Sequence, residues 1–206
     1  MYKLHYSPFS CSFAVRIALE KIGASYELEK VDVRENTQHT EEFLSLNHRG
    51  KVPVLQEGDQ LIDQGAAILL YLADKYPESD MIPPINDPLR PHALSILFYM
   101  SNTAHPTMGM AFYPDRYSHG DAQDVLNRTL ERIKELLTEF EQLVDQKQYL
   151  TDDKPYVADY YLATFLNWLI PFQISLDPYP SLKAYKQRMS SLHEVASATE
   201  KEMKLY

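Results

Sequence analysis

The sequence predicts an α/β domain built on a mixed four-stranded sheet, followed by an all-helical domain. Three observations lead there. Through the first eighty or so residues, segments that alternate apolar and polar with a period of two trade places with segments whose apolar residues recur at helical spacing. Pro77, Pro83, Pro84, Pro88 and Pro91 then fall among acidic and polar residues, the composition of a linker. Beyond that linker no convincing strand pattern returns. The expected division is 1–77 and 89–206, joined by 78–88.

Tyr2-Lys3-Leu4-His5-Tyr6 alternates and reads as the first strand. Phe13, Ile17, Ala18 and Ile22 then recur at helical spacing up to Gly23, a C-cap residue. Residues 26–33 read as a second strand whose alternation slips at Lys30. Strand, helix, strand implies a parallel pair joined by a right-handed crossover. A short helix over 40–46 presents Phe43, Leu44 and Leu46, and ends at Asn47 and the turn His48-Arg49-Gly50. In the third strand, Val52-Pro53-Val54-Leu55, the proline lacks an N–H and belongs at a strand start, at an edge or after a cis bond. Gln56-Glu57-Gly58-Asp59 turns the chain back through Gln60-Leu61-Ile62, an antiparallel pair. Asp63-Gln64-Gly65-Ala66 opens the next helix, with Ile68, Leu69, Leu72 and Ala73 inward and Tyr76-Pro77 as its stop.

In the second domain a helix over 89–104 carries Leu94, Leu97, Phe98 and Ser101 in register and continues to about Met110, kinked at Pro106. The longest helix is expected over 121–146, with Val125, Leu126, Leu130, Ile133, Leu137, Phe140 and Val144 on one side. Residues 156–170 are apolar nearly all round and belong at the centre of a helical core, ending at Pro171. A helix over 182–189 and a segment after Leu192 complete this domain.

Composition bounds the function. The chain is 45% apolar and 24% charged, an ordinary globular balance that excludes global disorder. It shows no signal-peptide pattern and no apolar run long enough to span a membrane. A single cysteine forms no internal disulfide, which fits a reducing cytoplasm. The net charge of −9 disfavours nucleic acid as a partner.

The turn Ser7-Pro8-Phe9-Ser10-Cys11-Ser12 joins the first strand to the first helix and holds that cysteine. Such a turn aims unpaired backbone N–H groups and the positive end of the helix dipole at whatever lies before it. With Ser10, Cys11 and Ser12 alongside, the spot suits a thiolate or a carboxylate. A thiol there is expected to ionise below the free value of about 8.5. The plainer account of a lone cysteine is a small buried hydrophobe. The helix start at Asp63 and Gln64 is a second such terminus, although simple capping explains both residues as well. Two termini and the strand edge at Val52, with its main-chain N–H and C=O turned outwards, would accept a short acidic peptide.

These segments together resemble a cytosolic glutathione transferase of the bacterial beta class. The resemblance is carried by Tyr6-Ser7-Pro8-Phe9-Ser10-Cys11-Ser12, Gly50-Lys51-Val52-Pro53-Val54-Leu55, and Asp63-Gln64-Gly65-Ala66-Ala67-Ile68 leading to Tyr71-Leu72-Ala73-Asp74. Val157-Ala158-Asp159 and Tyr179-Pro180-Ser181-Leu182 are similar to the family's second domain. The resemblance implies a thioredoxin-like glutathione-binding domain, a helical domain supplying the second-substrate pocket, and a homodimer. It implies catalytic roles for Cys11, His105 and Ser10, and glutathione contacts from Lys51, Val52, Pro53, Gln64 and Gly65. Phe9, Asn102, Phe112 and Trp168 are the expected walls of the second-substrate pocket. Glutathione is then a co-substrate, a hydrophobic electrophile is its partner, and neither a metal nor a resident cofactor is expected.

Three departures stand out. Gln64 replaces the family's usual acidic residue, removing a charge that would pair with the γ-glutamyl ammonium. Tyr156 stands where a Ser or Thr N-cap is usual, so the ordinary capping box with Asp159 is expected to be absent. Pro106 follows His105 directly. The reaction implied is attack of the glutathione thiolate on an electrophilic carbon, with thiol transfer through a Cys11 mixed disulfide as a further outcome. The rival reading is a non-catalytic binding or interaction protein of the same fold.

Overall fold

Strand β1 (Tyr2–Tyr6) sits inside a four-stranded sheet of order β2-β1-β3-β4, with β2 at Tyr26–Lys30, β3 at Val54–Glu57 and β4 at Gln60–Asp63. The computed structural model describes residues 1–145 and 147–205. β1 runs parallel to β2 and antiparallel to β3, with Leu4 opposite both Leu28 and Leu55. β3 and β4 are antiparallel, turned at Gly58, whose φ of 58° lies in the left-handed region that favours glycine. Flanked on both sides, β1 buries Tyr2, Leu4, His5 and Tyr6, whereas β2 at the edge keeps an alternating, largely exposed pattern. This is the mixed, thioredoxin-like sheet that the sequence predicts.

The helices of this unit are α1 (Ser12–Lys21), α2 (Glu41–Leu46) and α3 (Gly65–Lys75). α1 is buried from Ser12 to Leu19, because α3 packs on it and so does the last helix of the chain. α2 starts at Thr40, whose Oγ1 accepts the Phe43 N–H at 3.3 Å. The second strand stops at Lys30 rather than at residue 33. Asp32 folds the chain into a turn there, its carboxylate accepting the N–H groups of Arg34 and Glu35.

Contacts divide the chain into two compact units, Met1–Arg90 with Ser190–Tyr206, and Pro91–Met189. The helix after Leu192, expected to complete the helical domain, thus belongs to the first unit. Arg16 on α1 is 2% exposed and pairs with Glu202, itself 1% exposed. A guanidinium buried among apolar groups needs an acid, and the final helix delivers one. Lys201 and Ser197 also reach Glu20, and Lys21 pairs with Glu194.

The second unit holds α4 (Arg90–Tyr99, its first residue counted with the other unit), α5 (His105–Phe112), α6 (Ala122–Val144), α7 (Val157–Asn167) and most of α8 (Pro180–Ser191); α9 (His193–Met203) is the helix that joins the first. The expected end of the long helix at Gln146 lies outside the described residues. Between α4 and α5 the chain forms a π-helix, Met100–Ala104, where a kink at Pro106 was predicted. The His105 N–H reaches back five residues to the Met100 carbonyl. Pro106, which has no N–H to offer, follows in the first turn of α5, directly after that widened turn. α7 is buried at every position from Val157 to Leu166, as its all-round apolarity requires. Its capping corrects the expectation of a missing box: the Asp159 carboxylate accepts the Tyr156 N–H at 2.8 Å, and the Asp159 N–H bonds the Tyr156 carbonyl at 2.8 Å. The serine half is replaced by main chain, and the aspartate half survives. Among the described residues no helix is long and apolar enough to cross a membrane.

Candidate active site

The turn before α1 is held by its own polar groups. Ser10 N–H bonds the Ser7 carbonyl at 3.2 Å, and Phe9 lies at a left-handed φ of 54°. Ser12 donates its hydroxyl proton to the Ser7 carbonyl at 3.0 Å, so in the 2.6 Å contact between the two serine hydroxyls Ser10 is the donor. The Ser12 N–H also bonds Ser10 Oγ at 3.2 Å. Ser10, a predicted catalytic residue, therefore directs its proton into the turn.

Cys11 occupies the N-cap of α1, as the sequence predicts, but it is only 8% exposed. Its thiol donates to the Val52 carbonyl at 3.5 Å, and the Val52–Pro53 peptide is cis. The turn and the Val52 segment thus meet, with the Val52 C=O already engaged by sulfur. The expectation of a readily ionised thiol is corrected here. Burial pushes Cys11 up to about 12, outweighing its own and Ser12's backbone N–H groups and the charge of Lys51, which all pull the other way. The helix terminus favours the anion, but desolvation is the larger effect.

The loop leading to Val52 is fixed by Asn47, whose side chain donates to the Lys51 carbonyl at 2.8 Å and accepts the Arg49 N–H at 3.1 Å. Gly50 lies at φ 58°, and a Cβ there would meet His39 Nδ1 at 2.9 Å and the Gln38 carbonyl at 3.1 Å. Only glycine fits. Lys51 is exposed and Pro53 buried.

Gln64 precedes α3 at φ 68° and ψ 112°, an unusual backbone position for a residue with a side chain, and Gly65 behind it is buried. Simple capping does not describe this pair. The exposed Gln64 makes no side-chain bond to the helix, and Asp63 instead pairs with Arg49 at 2.6 Å.

One residue near this site was not foreseen. Glu202 of α9 accepts the Phe9 N–H at 2.7 Å while pairing with Arg16, tying the last helix to the turn that carries Cys11. A glutamate in a polar terminal helix gives no sign of this in sequence; Arg16 amid the apolar residues of α1 is the available signal.

In the helical unit His105 packs against one face of α7. Its ring lies 5.8 Å from Tyr161, 5.7 Å from Phe165 and 5.4 Å from Trp168, residues spaced so that a helix aligns them. His105 Nδ1 is 3.2 Å from the Tyr161 hydroxyl. Phe112 stands edge-on to Trp168 at 5.9 Å and 4.9 Å from Phe172, so two of the predicted pocket residues share an aromatic cluster with His105. Asn102 is exposed in the π-helix and bonds Thr103 at 2.9 Å; Phe9 is half-buried in the first unit. Tyr161 was missed, because aromatic residues in a fully apolar helix read as core.

Comparison with known proteins decides the family. The family model "Glutathione S-transferase, N-terminal domain" matches residues 1–74, and "Glutathione S-transferase, C-terminal domain" matches 95–193. GstA, a glutathione S-transferase of Escherichia coli O157:H7, is 30% identical over 200 residues, covering 95% of this chain and 96% of its own. The chain belongs to the glutathione S-transferase family. A sphingomonad glutathione S-transferase, solved in complex with glutathione, superposes with a TM-score of 0.85 at 31% identity, over 97% of this transferase and 98% of its own chain. The bacterial beta class glutathione S-transferase of Sphingomonas chungbukensis gives a TM-score of 0.85 at 30% identity over the same shares. The resemblance to the bacterial beta class thus holds over both parts of the chain.

Proposed function

We propose that this transferase adds the thiolate of glutathione to the electrophilic carbon of a hydrophobic substrate, acting as a cytoplasmic homodimer. The observation that carries the reading is the meeting of the Cys11 turn with the cis Val52–Pro53 segment at the start of α1, in a chain of this family. Glutathione lies along Val52 and Pro53, with its γ-glutamyl end at Gln64 and Gly65 and its glycine carboxylate near Lys51. Its sulfur sits at the amino end of α1, where main-chain N–H groups stabilise the anion. His105 takes part in turnover, as the family resemblance implies, and Phe9, Asn102, Phe112 and Trp168 serve the electrophile.

The burial of Cys11 bears on which sulfur attacks. A thiol held near 12 is almost wholly protonated at neutral pH, so glutathione's own thiolate is the nucleophile and conjugation the main reaction. Thiol transfer through Cys11 would need that thiolate to attack oxidised glutathione and expel one glutathione thiolate, a slow step from a buried thiol.

Steady-state turnover of a chromogenic aryl halide with glutathione tests the reading. Conjugate formation above the uncatalysed rate is expected; retention on immobilised glutathione without product would favour the non-catalytic alternative. Intact mass after exposure to oxidised glutathione, for wild type and Cys11→Ala, separates conjugation from a Cys11 mixed disulfide. The dimer is tested by solution mass, expected at twice 23.9 kDa.

A further inference from the structure

We propose that Glu202 is a positioning residue for glutathione binding: from the last helix it fixes the peptide that shapes the turn before α1, and so the aim of the N–H groups that meet the glutathione sulfur. This rests on the reading that the sulfur lies at the amino end of α1, a place built within the first unit.

Pro8 and Phe9 are the two central residues of a turn closed by the Ser10 N–H and the Ser7 carbonyl at 3.2 Å. Proline at the first centre and a φ of 54° at the second are the marks of a type II turn, in which glycine usually takes the second place. Phenylalanine lacks that freedom. The same four residues could form a type I turn, with φ negative at both centres, if the Pro8–Phe9 peptide turned over; that form suits phenylalanine and is the commoner one. A force from outside the turn must therefore favour the strained form. Turning the peptide over would carry the Phe9 N–H to the opposite side, and it is this N–H that Glu202 Oε1 accepts at 2.7 Å. Phe9 has other contacts besides; this one depends directly on which way the peptide faces.

The carboxylate is not free to follow a flipped peptide. Its second oxygen pairs with Arg16 of α1, both side chains are buried, and the Arg16 guanidinium lies 6.0 Å from the centre of the Tyr6 ring at the end of β1. Glu202 is thus fixed against the strand that enters the turn and the helix that leaves it. Between them, the N–H groups of Cys11 and Ser12 are directed at the Cys11 sulfur. A glutathione sulfur at the same end of α1 draws on those two groups, and a flipped peptide just before them redirects both.

Hydrogen exchange of the Phe9 amide, read by NMR on the wild type, needs no variant. Protection comparable with that of the α1 amides is expected; exchange at the rate of an open turn overturns the proposal. Two double variants separate positioning from stability, since neither strands a charge of the Arg16–Glu202 pair. Arg16→Met with Glu202→Gln keeps an oxygen that can accept the Phe9 N–H, and Arg16→Met with Glu202→Leu keeps none. The leucine variant should bind glutathione about 10-fold more weakly by calorimetry and let iodoacetamide reach Cys11 about 10-fold faster, with the glutamine variant within about threefold of wild type in both. Stability should run the other way, because the glutamine variant buries an amide without Arg16 beside it and the leucine variant buries only apolar groups. Wild-type values in the leucine variant overturn the role of Glu202, and so do equal losses in the two variants. A wild type that binds no glutathione sinks the reading of the site and the binding role with it, whereas the alkylation rates and the Phe9 amide judge the hold on the turn alone.

Discussion

At the scale of single residues, the site turns on a competition at Cys11 between a favourable helix terminus and an unfavourable burial. Burial prevails, and this has two measurable consequences. With its thiol near 12, Cys11 carries a thiolate fraction of ~10⁻⁵ at pH 7. Alkylation by iodoacetamide, followed by intact mass, should be slow at neutral pH and still accelerating at pH 10; a plateau near pH 8 would contradict this. Stability should respond as well. Above about 8.5 the unfolded chain releases a thiol proton that the folded chain keeps, so stability falls with rising pH by about 1.4 kcal/mol per unit from this group. Denaturant titrations from pH 8 to 10 should be flatter for Cys11→Ala than for wild type. That Cys11 stands at a helix start is legible in the sequence, because periodicity locates α1. Its burial is not, because what covers it includes Val52, forty-one positions away.

Among the elements, two helix attachments depend on buried carboxylates. Glu202 on α9 neutralises Arg16 on α1 and holds the Phe9 N–H. Glu202→Ala leaves a buried, unpaired guanidinium, and a loss of about 3–5 kcal/mol is expected in urea denaturation. The double variant Arg16→Met, Glu202→Leu should recover most of that loss, since no charge is then stranded. At the start of α7, Asp159 accepts the Leu150 N–H at 2.9 Å, the Tyr156 N–H and the Tyr185 hydroxyl at 2.8 Å. Asp159→Ala strands the Leu150 and Tyr156 N–H groups and leaves the Tyr185 hydroxyl only the main-chain carbonyl of residue 159, at 3.3 Å, and should cost about 2–4 kcal/mol. Burial raises Asp159 to about 6. The folded state then keeps a proton that the unfolded state loses near 3.9, so this group's contribution falls as pH rises from about 4 to 6 and is constant above. Element positions were largely readable, since hydrophobic period and proline placement survive any packing. The π-helix before His105 was not, because its extra residue per turn is a matter of which carbonyl the His105 N–H finds.

For the molecule as a whole, the assignment of α9 to the first unit changes what a truncation should do. Removing residues 190–206 takes partners from Arg16, Glu20 and Lys21 at once. Loss of retention on immobilised glutathione is expected, together with a fall in helical circular dichroism larger than α9 alone accounts for; a truncated chain that still binds would show that α1 does not need its cover. The sequence by itself determined the order of strands and helices and the mixed sheet, and it nominated Cys11, Val52 and Gln64 as candidates, because each follows from local period, turn chemistry or motif. Only the tertiary structure decided that Cys11 is desolvated, that Glu202 anchors its turn, that Tyr161 meets His105 and that the last helix returns to the first unit. Those outcomes depend on burial and on pairs of residues far apart in the chain, and a one-dimensional pattern carries no distance between them.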